Sequence, residues 1–329
     1  MLTWPHDRTD WAGLLPEVTR VYESLVLGLC RYGAVVIAAR PDMVTELTRR
    51  LTGLGVQTDG LHIYPAESND TWTRDHGPLT VQTEQGLCLL DYRFNGWGNK
   101  FDAALDNAVT ATLYRQGAFP GAQLRDMDFV LEGGSIDTDA RGTLLTTTRC
   151  LLHPGRNPGL GRGGIEERLK MDLGISRFHW IEHGYLQGDD TDGHIDTLAR
   201  LCPGDVIAYQ ACDNAGDSHY QEFAALEREL QSLTRADGKP YDLVPLPWPA
   251  PRYDGSGARL PLSYANFLIF NNGVFVPLYD DRQDGEALEQ VSRAFPGYAV
   301  EGVNCLPLIT QHGSLHCITM QLPRGVIKP

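Results

Sequence analysis

An α/β fold is predicted for this 329-residue chain by three observations. Short apolar runs alternate with stretches of helical periodicity, so strand, helix and strand follow one another from the start. The length suits one large core or a repeated architecture. No shift in composition marks a domain boundary, so residues 1–329 are expected to form a single domain.

In order, Leu14 to Tyr32 carries Leu15, Val18, Val21, Tyr22, Leu25 and Leu29 at helical spacing, and Gly33 stops it. Ala34 to Ala39 reads as a buried strand, Pro41 to Leu54 as a helix ending at Gly53 and Gly55, and Leu61 to Tyr64 as a strand. Strands are expected at Leu79 to Val81 and Leu87 to Asp91, a helix from about Ala103, and strands at Phe129 to Leu131 and Leu144 to Thr147. A helix over Ile165 to Leu173, a strand Val206 to Tyr209 and a helix Ser218 to Leu233 follow. The chain closes with strands Phe267 to Phe270 and Val274 to Leu278 and a helix Gly285 to Phe295. Pro245 to Pro251 reads as a packed surface loop.

Hydrophobic residues make up 42% and charged residues 21%, no apolar run reaches the ~20 residues of a membrane span, and Met1 to Ala12 lacks a signal pattern. A cytoplasmic protein without a membrane partner is expected. The net charge of -14 argues against nucleic acid and would attract a cationic substrate. Seven scattered cysteines with no C-x-x-C pair suit reduced intracellular thiols.

Cys317 lies in Thr310–Gln321, after Gly313 and Ser314 and before a β-branched run suited to a strand. A free cysteine is ordinarily an apolar filler, but here it could be a nucleophile. Two acid- and imidazole-rich stretches accompany it, Asn69 to Pro78 and Gly188 to Asp196. In His194-Ile195-Asp196 a strand would turn both polar side chains to one cleft and Ile195 to the core. Each of these residues has a plainer reading: His194 a core imidazole, Asp196 a loop cap, Asp75 a partner of Arg74 in a turn ending at Gly77-Pro78. Together they match the needs of attack on a guanidinium carbon: carboxylates to grip the nitrogens, a thiolate to attack, and a histidine to protonate departing ammonia. The other cysteines, Cys30, Cys88, Cys150, Cys202, Cys212 and Cys305, sit in no comparable polar constellation and are expected to be dispensable.

Three other motifs are discounted. Gly159, Gly161 and Gly164 spell G-x-G-x-x-G but follow a loop rather than a strand. Asp190, Asp192 and Gly193 lack the rest of a calcium loop. His312, His316 and Cys317 suggest a metal, yet on a strand His316 and Cys317 would face opposite ways.

Several spaced motifs then resemble, in order, the agmatine deiminase family, the branch of the guanidine-modifying superfamily related to bacterial peptidylarginine deiminases. They are Trp72–Pro78, Phe94–Gly98, Glu132–Ser135, Leu144–Thr147 with Arg156–Pro158, Thr191–Asp196, Asn272–Pro277 and His316–Thr319. The resemblance implies a five-bladed α/β propeller (pentein) with pseudo-fivefold symmetry and no metal or organic cofactor. It implies Cys317 as nucleophile, His194 as general acid and base, Asp75 and Asp196 as guanidinium clamp, Glu132 in support and Trp72 beside the substrate chain. The chain departs from the family pattern at His312 and Ser314, where Gly and Asn are usual, and its late start at Leu2 to Pro5 points either to a first blade that lacks a strand or to a misplaced start.

The implied reaction is hydrolytic deimination of agmatine to N-carbamoylputrescine and ammonia, as in putrescine biosynthesis. The partner is a small cationic guanidine, and homo-oligomerisation is left open. Deimination of arginine or peptidyl-arginine, amidino transfer to an amine, and silent polyamine binding are the alternatives.

Overall fold

The structure is a computed structural model that describes residues 1–327. Backbone contacts divide it into two compact units, one of residues 1–133 with the C-terminal segment from His316, the other of residues 134–315.

The first unit holds two three-stranded sheets. In one, β1 (Leu2–Thr3), β2 (Val35–Ala39) and β3 (Leu61–Pro65) run parallel, as they can because helices Leu15–Leu29 and Val44–Gly53 supply the crossovers. The expected loss of a strand here is corrected, since Leu2 and Thr3 pair with Ile37 and Ala38. The helix Leu15–Leu29 buries Val18, Val21, Tyr22, Leu25 and Leu29, the stripe its spacing predicts. In the second sheet β4 (Leu79–Thr83) and β5 (Gly86–Arg93) form a hairpin, and β6 (Ala122–Val130) returns parallel to β5 after the helix Val109–Arg115.

The second unit repeats that hairpin-then-crossover plan three times. Its sheets are β7 (Ile136–Thr138), β8 (Thr143–Thr147) and β9 (Arg177–Ile181); β10 (Ala199–Cys202), β11 (Val206–Gln210) and β12 (Asp242–Leu246); and β13 (Leu268–Phe270), β14 (Gly273–Leu278) and β15 (Ala299–Asn304). In each the first pair is antiparallel and the second parallel, joined through helices Arg162–Leu173, Tyr220–Ser232 and Asp284–Ala294 respectively. The protein is thus a mixed α/β fold with five small sheets among the described residues, and four of them share one topology.

The strands that sequence patterning missed or shortened lie mostly at sheet edges. β6 begins at Ala122, well before Phe129, because its first half is largely solvent-facing and carries no apolar run. β12 occupies the start of the proline-rich stretch: Pro245 pairs opposite Tyr209 on an edge strand, where a missing N–H is tolerated. Among the described residues no helix is long and apolar enough to cross a membrane.

In the second unit, Phe223, Leu226 and Leu230 of the helix Tyr220–Ser232 pack with Ile207, Tyr209 and Trp248, and with Ile195 and Leu198. Ile195 is therefore a core residue holding the turn on which His194 and Asp196 sit.

Candidate active site

Within the first unit, one turn of helix, Thr73–His76, carries Asp75. Gly77 ends it by necessity, since a Cβ there would lie 2.5 Å from the Thr73 carbonyl oxygen and against Met320. Arg74 ties this turn to the nucleophile segment. Its backbone N–H donates to the Cys317 carbonyl at 3.0 Å, and its buried guanidinium reaches the His316 carbonyl, Met320 Sδ and the Gln321 side chain. Behind it, a Cβ at Gly133 would collide with the Arg74 carbonyl oxygen, so the residue after the fully buried Glu132 must be glycine.

Cys317 is buried and lies in a turn closed by the Thr319 N–H on the His316 carbonyl at 3.0 Å. The expected strand is corrected. The β-branched residues that suggested it do not pair with a neighbouring strand, and the alternation argument about His316 and Cys317 loses its premise.

Trp97 is the residue that sequence reading left without a role. Its indole Nε1–H donates to Asp75 Oδ2 at 3.0 Å, and its backbone sits at φ 55°, a left-handed conformation that costs a bulky residue energy. Its only signal was membership of the Phe94–Gly98 motif. Phe94 and Phe101 meet it edge-on at 5.0 and 5.5 Å between ring centroids and fix the ring. Trp72 is committed differently: its Nε1–H donates to Asp70 Oδ2 at 3.0 Å and its ring packs on Trp11.

In the second unit the Gly188–Asp196 stretch is a self-bonded loop. Asp189 accepts from the Thr191 hydroxyl at 2.5 Å and the Gly193 N–H at 2.6 Å, and Thr191 Oγ1 accepts from the His194 N–H at 3.1 Å. Asp192 pairs with the buried Arg156 at 2.7 Å, and Arg156 also donates to the Thr191 carbonyl. Asp189 and Asp192 thus serve the loop itself. His194 caps the single 3-10 turn Ile195–Thr197, and both it and Asp196 are buried. The strand expected for His194-Ile195-Asp196 is therefore corrected: the turn, held by Ile195 in the core, orients these side chains rather than a two-residue alternation. The Thr197 hydroxyl donates to the His194 carbonyl and Ser263 Oγ to the Thr197 carbonyl, at 2.9 and 2.6 Å.

The two departures from the family pattern are both anchored to this unit. His312 adopts φ 64°, a conformation glycine takes freely, and its Nδ1–H donates to the Gly188 carbonyl at 2.9 Å. Ser314 Oγ hydrogen-bonds Tyr279 Oη at 2.9 Å, and that phenol donates to the Ser263 carbonyl.

The model of the Porphyromonas-type peptidyl-arginine deiminase family matches residues 1–323. The chain belongs to this family. It is accordingly a guanidine-modifying deiminase, and the relatives it matches, over most of their own length, are named as deiminases. A Porphyromonas gingivalis protein named provisionally as an arginine deiminase has a solved structure that is 45% identical, with a TM-score of 0.92 over 99% of this chain and 96% of that one. A cysteine-to-serine variant of the C. jejuni agmatine deiminase, solved with substrate bound, is 36% identical, with a TM-score of 0.88 over 97% and 91%. A Vibrio parahaemolyticus protein named provisionally as an agmatine deiminase is 37% identical over 98% of this chain and 93% of its own. Among these deiminases the mixed α/β fold is shared throughout.

Proposed function

We propose that this deiminase hydrolyses agmatine to N-carbamoylputrescine and ammonia through a covalent cysteine intermediate, and that residues 1–329 act as one catalytic domain. The observation that carries the reading is the Arg74 N–H bond to the Cys317 carbonyl, which couples the Asp75 turn directly to the cysteine turn. In this reading the Cys317 thiolate attacks the guanidinium carbon while Asp75 and Asp196 hold its nitrogens by charge-assisted hydrogen bonds. His194 gives its proton to the departing nitrogen, the C–N bond breaks, and ammonia leaves. Water then adds to the amidino-thioether carbon, losing a proton to His194, and collapse expels the thiolate and leaves the ureido product. Glu132 supports the site as a buried acceptor, and Trp72 offers its ring face to the methylene chain. The substrate-bound cysteine-to-serine variant of the C. jejuni relative supports a cysteine needed for turnover rather than for binding.

The reading requires the Cys317 and His194 segments to act on one guanidinium. It takes the five sheets as blades of a propeller about one axis, and a crystal structure with the sheets otherwise arranged would overturn that. A second substrate reading has its own support: the relative named provisionally as an arginine deiminase is 45% identical. Incubating the pure protein with agmatine, arginine and an arginine peptide, and measuring ammonia and ureido product, separates them. Agmatine is expected to give both products fastest. Preference for arginine or the peptide would replace the substrate, and no ammonia from any of the three would sink the hydrolase reading.

A further inference from the structure

The loop that presents His194 is held from two sides by groups the proposed chemistry does not use. On one side Asp217 gathers donors: both terminal nitrogens of Arg259 at 2.9 and 2.7 Å, the Trp248 indole N–H at 3.0 Å, and the His219 backbone N–H and Nδ1–H at 3.0 and 2.9 Å. With Nδ1 spent as a donor, His219 Nε2 is a bare acceptor, and it takes the Gln187 N–H at 2.8 Å. Gly188, the next residue, runs so close to this cradle that a Cβ would stand 2.2 Å from the Arg259 carbonyl oxygen. On the other side His312 Nδ1–H donates to the Gly188 carbonyl at 2.9 Å. From Gly188 the hold passes along the loop to the imidazole. Asp189 accepts the Thr191 and Gly193 N–H groups at 3.1 and 2.6 Å, and the Thr191 hydroxyl, itself bound to Asp189, accepts the His194 N–H at 3.1 Å.

We propose that His312 is a positioning residue for His194: its Nδ1–H pins Gly188 against the cradle and so fixes the loop on which the imidazole is presented. The proposal rests on the reading of His194 as the acid and base. His312 holds its backbone at φ 64°, which costs a residue with a Cβ energy and which the glycine of the family pattern adopts freely. Strain of that kind persists where the surrounding structure compensates it, and the bond to Gly188 supplies a compensation. A glycine offers no side-chain donor, so the tie is a feature this chain adds to the family pattern. Proton transfer needs the ring within hydrogen-bond reach of the proton it moves, so a loop left free to shift loses rate before it loses substrate affinity.

The test compares His312→Gly and His312→Asn in the full chain. Both residues tolerate a positive φ, and asparagine places an N–H donor at the same distance along the side chain as histidine Nδ1. Glycine is expected to lower kcat about three- to tenfold, the range one lost hydrogen bond supports, and to leave KM nearly unchanged. Its melting temperature should stay near the parent's, because relief of the left-handed strain offsets the lost bond. Asparagine should keep most of the parent kcat. A second readout needs no substrate: hydrogen exchange at the Thr191, Gly193 and His194 amides should quicken in His312→Gly and stay near the parent rates in His312→Asn. Parent-like kcat and exchange in His312→Gly would overturn the proposal. So would equal losses of kcat in both variants with unchanged exchange, which is the behaviour of a packing residue. A rise in KM at unchanged kcat would overturn it as well, since that marks a substrate contact. If the parent protein turns over no guanidine, the functional reading fails, and the exchange rates alone then decide whether His312 holds the loop.

Discussion

At the residue scale, the candidate chemistry depends on few atoms and can be taken apart one group at a time. Asp75→Asn keeps shape and removes charge, so guanidinium binding should weaken by roughly ten- to a hundredfold, the value of a charge-assisted hydrogen bond. Cys317→Ser should bind agmatine as the parent does and fail to turn it over. Calorimetric titration of agmatine into both variants compares them, and parent-like affinity in Asp75→Asn removes it from the clamp. Trp97 offers a finer test, because its indole donates to Asp75 from a left-handed backbone. Trp97→Phe keeps the ring and loses the donor, so KM should rise about tenfold with a smaller change in kcat. An unchanged KM would make Trp97 a packing residue only.

At the element scale, loops rather than strands carry the site, and the loop before Trp72 is braced by an unusual carboxylate. Asp106 accepts the N–H groups of Asn69 and Asp70 at 2.7 and 3.1 Å, while Asn69 Oδ1 accepts those of Leu105 and Asp106. Burial pushes Asp106 up to about 7 from 3.8, and its neighbour Asp70 up to about 6. Between those limits the folded chain holds a proton that the unfolded chain releases. The contribution of Asp106 to stability is therefore full below about 4 and is lost as pH rises through about 7. Asp106→Asn keeps the carbonyl acceptor and cannot ionise. Its melting temperature should gain on the parent's as pH goes from about 5 to about 8, as thermal melts at both pH values would show. Parallel curves would mean that Asp106 ionises in the fold without cost.

At the scale of the whole molecule, the net charge of -14 should draw a cationic guanidine toward the protein. Raising ionic strength from about 0.05 to about 0.5 M shortens the screening length several-fold, so kcat/KM for agmatine should fall while kcat holds. A flat kcat/KM would confine the electrostatics to the clamp itself. If residues 1–329 act as one catalytic domain, calorimetry should give one unfolding transition. Two resolved transitions, matching the units 1–133 with the C-terminal segment and 134–315, would separate them.

The sequence by itself determined the α/β class, most of the buried strands and long helices, and the identity of Cys317, His194, Asp75, Asp196, Glu132 and Trp72 as candidates. It could do so because apolar periodicity reports burial locally and because guanidinium attack demands a thiol, an imidazole and carboxylates, whereas Glu132 and Trp72 came only with the family resemblance. It did not reveal the repeat of hairpin and crossover, since that repeat lies in hydrogen-bond topology and not in side-chain pattern; edge strands such as β9 and β15 carry polar residues that mask the strand period. Nor did it show how the residues are presented. His194, Asp196 and Cys317 sit in turns whose shape comes from Ile195 in the core, the Thr191 and Asp189 bonds, and Arg74 reaching a segment 242 residues away in sequence. Contacts of that range are invisible to local patterning, and so was Trp97 on Asp75, which only the folded chain brings together.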